Sequence, residues 1–97
     1  MPAYIIIYRE GPIRDEHEYS EYKRISAENR GDIRPKLAVF YGTQDGLEGE
    51  PPEGVVMLEF PTIEDARAWY NSPGYQAALP HRLACAEWRT VLVDGVG

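Results

Sequence analysis

The sequence predicts one α+β domain: a four-stranded antiparallel sheet with its helices on a single face. Three observations carry this. Four short apolar runs rich in β-branched residues are too short for helices, and amphipathic stretches lie between the first and second runs and between the third and fourth. The chain is 97 residues long, 43% hydrophobic and 11% aromatic, which suits one core spanning residues 1–97 and leaves no room for a second.

Residues 3–8 form the first strand, dominated by Ile5, Ile6 and Ile7. Gly11-Pro12 ends it. Asp15 with Glu18 forms a capping pair, and Tyr19, Tyr22, Ile25, Ser26 and Asn29 recur at helical spacing, so a helix is predicted over 16–29. Gly31 stops that helix, and residues 36–41 form the second strand. Residues 43–54 hold three glycines, Pro51-Pro52 and four acids, the composition of a turn-rich connection. The third strand spans 55–60.

Thr62 with Asp65 caps the next helix, whose apolar face is Ile63, Ala66, Trp69 and Tyr70, ending near Asn71. Ser72-Pro73 restarts a helix, since Ser caps well and Pro fits the first helical position; Tyr75, Ala78 and Leu79 give it an apolar side until Pro80 interrupts it. The last strand covers 88–93. The resulting order, β-α-β-β-α-β with a helical extension before the final strand, is the split βαβ or ferredoxin-like arrangement.

Alternation along the strands places Ile5 and Ile7 opposite Tyr4, Ile6 and Tyr8, and Val56, Leu58 and Phe60 opposite Val55, Met57 and Glu59. Both faces are largely apolar. Helices can cover one, and nothing remains in the chain to cover the other, so a homodimer is expected in which a second copy covers it by a two-fold operation.

Sixteen acidic against ten basic residues give a net charge of −6, which argues against nucleic acid and anionic membrane surfaces as partners. Cys85 is the single cysteine, excluding an intrachain disulfide and fitting a reducing cytoplasm. No segment reads as a signal peptide or membrane span. Neither a P-loop nor a dinucleotide fingerprint is present, so no nucleotide cofactor is expected. His17 and His81, the only histidines, are far apart in sequence, and no metal site is predicted.

The stretches Glu59-Phe60-Pro61-Thr62 and 66–76 (ARAWYNSPGYQ), Arg82, residues 91–95, the opening Pro2-Ala3-Tyr4 and the pair Tyr19 and Tyr22 together resemble the uncharacterised bacterial family called domain of unknown function 1330. The resemblance covers nearly the whole chain. It departs at Gly74, where Glu is expected, and at Pro80-His81, where plain helix is expected. It implies a ferredoxin-like dimer of the dimeric α/β-barrel superfamily. Members of that superfamily include cofactor-free monooxygenases, lactone isomerases, and dehalogenating or decarboxylating enzymes; this favours a small-molecule site without selecting a reaction.

Glu59 is the candidate catalytic residue. It interrupts an apolar strand where an inward carboxylate is costly unless paired, and such a group can serve as a general base. The alternative is an ion pair or hydrogen bond across the dimer or at a strand edge, with Arg9 or Arg89 as candidate partners. Trp69, Tyr70 and Tyr75 bracket the Ser72-Pro73 turn and either wall a pocket or pack the core. Arg82 can hold a ligand carboxylate through its planar fork, and His81 beside it titrates near neutrality; a solvated helix end is the other reading of both. His17 stands among Asp15, Glu16 and Glu18, as a site residue or a surface one. Tyr8, Tyr22 and Tyr41 offer hydroxyls to orient a ligand, or are ordinary tenants of a half-buried sheet. Cys85, between Ala84 and Ala86, reads as packing.

Three functions are compatible with these residues. One is a cofactor-free enzyme acting on a small acidic or phenolic metabolite between sheet and helices. A second is a non-catalytic small-molecule-binding or stress-response module. The third is a purely structural dimer.

Overall fold

The computed structural model describes residues 1–28 and 31–97. Along the chain lie β1 (Ala3–Arg9), α1 (Glu16–Glu28), β2 (Lys36–Phe40), β3 (Gly54–Phe60), α2 (Ile63–Tyr70), α3 (Pro73–Cys85) and β4 (Trp88–Asp94). Asn29, the predicted end of the first helix, lies outside the described residues. The sheet order is β2-β3-β1-β4 with every neighbouring pair antiparallel, so each βαβ connection joins parallel strands across one intervening strand. This is the ferredoxin-like arrangement.

The predicted caps are present. Glu18 donates its backbone N–H to Asp15 Oδ1 at 3.1 Å and Asp65 to Thr62 Oγ1 at 3.1 Å, while Tyr75 donates to Ser72 Oγ at 3.4 Å.

The expected break at Pro80 does not occur, for α3 continues to Cys85. A proline there forfeits a helical hydrogen bond and costs about 3 kcal/mol. Continuing the helix keeps Tyr75, Ala78, Arg82 and Cys85 on one buried stripe while Pro80 itself is exposed, and burial of the apolar members of that stripe offsets the loss.

The core lies between the sheet and the helices. Ala3, Ile5 and Ile7 of β1 and Val56, Leu58 and Phe60 of β3 are buried there with Ala66 of α2. The helices cover this face unequally. α2 packs directly on β1, β3 and β4, whereas α1 leans on α3 and buries none of its own residues. A gap therefore opens between α1 and the β2 side of the sheet.

The opposite face carries no helix. Across its middle the register aligns Val91, Ile6, Met57 and Val39; beside that row run Val93, Tyr4, Glu59 and Lys36. Val91 and Val93 are each 42% exposed.

Candidate functional site

Tyr41 follows β2 with φ 51, a left-handed turn that returns its ring over β3. Gly54 makes this possible, because a Cβ there would lie 2.5 Å from Tyr41 Cδ1. Tyr19 and Tyr22, one turn apart on α1, face the same space, and Arg82 reaches it from α3.

Two connected hollows result. A narrow one of about 70 Å³ lies among Tyr19, Tyr22, Tyr41, Arg82 and Trp88. It shares Ile7, Tyr22, Lys23, Phe40 and Val56 with a wider cleft of about 470 Å³ that extends toward Leu37, Trp69 and Tyr75. A further hollow of about 220 Å³ lies beside Ile5, Arg67, Tyr70, Asn71, Thr90 and Leu92.

Arg82 is 2% exposed. Its Nη1 donates to Thr90 Oγ1 at 3.3 Å, its guanidinium lies 5.2 Å from the centre of the Trp88 ring, and its Nε is buried without an acceptor. Among the described residues no carboxylate forms an ion pair with it. Such a cation is costly to bury and gains from a bound anion.

Tyr22 and Tyr75 bring their hydroxyls within 3.2 Å of each other, with their rings edge to face. Burial pushes the Tyr75 phenol far above its ordinary value, the Tyr22 hydroxyl adds to this, and the Arg82 guanidinium pulls only partly back. Burial likewise raises Tyr22. Tyr41 is raised by burial first and by the neighbouring Tyr19 phenol second. These hydroxyls stay protonated at neutral pH.

The remaining predicted residues disperse. Glu59 is a correction to the inward placement: its register puts it on the helix-free face between Tyr4 and Lys36, across the sheet from Arg82 and the tyrosine cluster. Within the subunit neither arginine pairs with it, since Arg89 Nε donates to Glu10 Oε1 at 2.8 Å and the Arg9 guanidinium sits 5.4 Å from the Tyr41 ring centre. Tyr8 also takes the helix-free face, under the Arg89 guanidinium. His17 is exposed on α1.

His81 Nδ1 contacts Glu18 Oε2, tying α3 to α1. Tyr70 stacks at 5.4 Å on Tyr75 and borders the 220 Å³ hollow. Cys85 is buried and donates its thiol to the Arg82 carbonyl at 3.2 Å; burial pushes the thiol up, which suits packing rather than nucleophilic use. Among the described residues no three or more His, Cys, Asp or Glu side chains converge as metal ligands, and no helix is long and apolar enough to cross a membrane.

Tyr19 and Trp88 were not singled out by sequence as site residues. The i, i+3 pairing of Tyr19 with Tyr22 was the available signal for the first. Trp88 gave none beyond opening a strand.

Fold and site together define a ferredoxin-like α+β domain with an aromatic, arginine-floored hollow between helix and sheet. The chain belongs to the family described as Domain of unknown function (DUF1330), which matches residues 2–96. No curated protein matches it. Among solved structures it is similar to the methylated RPA0582 protein of Rhodopseudomonas palustris (TM-score 0.71, 19% identity, covering 99% of this chain and 82% of that one). It is also similar to an ethyl tert-butyl ether d (ethd) family protein from Bacillus halodurans (TM-score 0.69, 12% identity, 99% and 100% covered). A dimeric ferredoxin-like protein of unknown function from Jannaschia sp. is a third (TM-score 0.66, 13% identity, 98% and 100% covered). At these identities the likeness concerns the fold.

Proposed function

We propose that this chain is a homodimeric small-molecule-binding protein whose ligand occupies the cleft between α1 and the sheet, with the helix-free sheet face joined to a second copy. The observation that carries the ligand site is the cleft itself. α1 buries no residue against the sheet, and the space left open, about 470 Å³, is within the range of small-molecule sites and lined largely by apolar and aromatic side chains.

Binding is favoured over turnover because none of the described residues lining the two hollows is a carboxylate or an imidazole, while the tyrosines there are held protonated. With Glu59 on the other face, none of the described residues lining the cleft is the carboxylate base expected for a cofactor-free enzyme. The dimer is supported by the apolar row Val91, Ile6, Met57 and Val39, and by the Jannaschia relative being dimeric.

Native mass spectrometry of protein purified under mild conditions tests both halves. A dimer carrying a defined extra mass is the expected result. A bare monomer at micromolar concentration would contradict the interface. A dimer that takes up no member of a small organic fragment set would remove the ligand site.

A further inference from the structure

We propose that the ligand of this cleft is a monocarboxylate with an apolar or aromatic body, its carboxylate seated in the narrow hollow on Arg82 and its body lying in the wider cleft; this rests on the cleft being a ligand site. The first support is Arg82 itself, a guanidinium 2% exposed whose Nε faces no acceptor and which has no carboxylate partner among the described residues. Thr90 Oγ1 takes only Nη1, so the remaining guanidinium N–H groups, Nε among them, are left to match a carboxylate.

Charge distribution is the second support. The chain carries −6 overall, yet the described residues lining both hollows include the cations Arg82 and Lys23 and no acid. A patch of one sign inside a protein of the other sign attracts the charge that the rest of the surface repels.

Size is the third. The space at Arg82 is about 70 Å³, enough for a carboxylate and too small for a ring-bearing body, whereas the adjoining cleft of about 470 Å³ is apolar. Tyr22 and Tyr41 border the same narrow space, and their phenols, raised by burial, stay neutral beside an anion.

Phenylacetate and octanoate, each paired with its primary amide, are the probes, titrated into the full chain and followed by amide chemical-shift changes. Each acid is expected to bind at least about tenfold tighter than its amide, with shifts clustering at residues 19–23, 40–41 and 82. Arg82→Gln should erase that preference, and Arg82→Lys, which keeps the charge, should retain part of it.

Equal affinity of acid and amide would overturn the carboxylate assignment while leaving the cleft as a ligand site. Absence of any shift at the cleft with all four probes would overturn both. Because the acid-to-amide comparison is made in the unaltered protein, it decides the question even where an Arg82 variant fails to fold.

Discussion

The two faces of this sheet differ less in composition than in what lies over them. On the helix side Ile5, Ile7, Val56 and Phe60 are buried within the subunit, and α1 stands off far enough to leave an aromatic cleft beside the narrow hollow that Arg82 lines. On the other side Ile6, Met57, Val39 and Val91 form an equally apolar row against which none of the described helices packs. One face thus holds the core and the candidate site, and the other is the face assigned to the proposed homodimer. Successive residues of β1 therefore serve different purposes, and neighbouring substitutions should report on different equilibria.

The largest expected effect separates those neighbours. Ile5→Ala should cost about 3 kcal/mol in chemical denaturation, through lost burial and an unfilled cavity. Ile6→Ala, measured at concentrations where subunits are apart, should cost about 1 kcal/mol or less. Equal costs at the two positions would erase the distinction between the faces.

Alkaline titration sharpens the same contrast. Tyr22 and Tyr75 on the helix side have folded-state pKa values raised above the ordinary value of 10.0, so the native chain keeps protons that the unfolded chain releases. The resulting stability is fully present below pH about 10 and is lost as pH rises from there toward the folded-state values. Denaturant midpoints should stay level up to pH about 9, begin to decline there as the raised Cys85 thiol contributes, and decline more steeply above pH about 10. Tyrosinate absorbance should show at least two phenols ionising only as the fold opens. Free titration of every tyrosine in the folded protein would contradict the buried hydroxyl pair.

The smallest effect is expected at Glu59. Because it lies across the sheet from the cleft, Glu59→Gln should leave phenylacetate affinity within about twofold of the parent. A loss comparable to that of Arg82→Gln would mean that Glu59 belongs to the ligand site after all.

Much of the fold was legible because its signals are local. Capping residues Asp15, Thr62 and Ser72 sit where the helices begin, and period-two alternation announced two apolar faces. Alternation alone assigns residues to faces without saying which face the helices take, and Glu59 was read as inward for that reason. Pro80 concealed the length of α3: its local cost is visible in sequence, whereas the buried stripe that outweighs it depends on tertiary packing. Arg82 was legible as a carboxylate binder by residue type, but its burial beneath Trp88 and Thr90 follows from that same unbroken helix. The seat of Tyr41 over Gly54 arises from a left-handed turn at a non-glycine residue, which no composition rule announces.

Sedimentation equilibrium on the intact chain and on Ile6→Asp tests the division of the sheet most directly. The account predicts that the parent sediments as a dimer at micromolar concentration. The variant, with an unpaired carboxylate at the centre of the bare face, should sediment as a folded monomer with an unchanged circular-dichroism spectrum. A parent that is monomeric throughout, or a variant that remains dimeric, would contradict the claim that this face belongs to the partner.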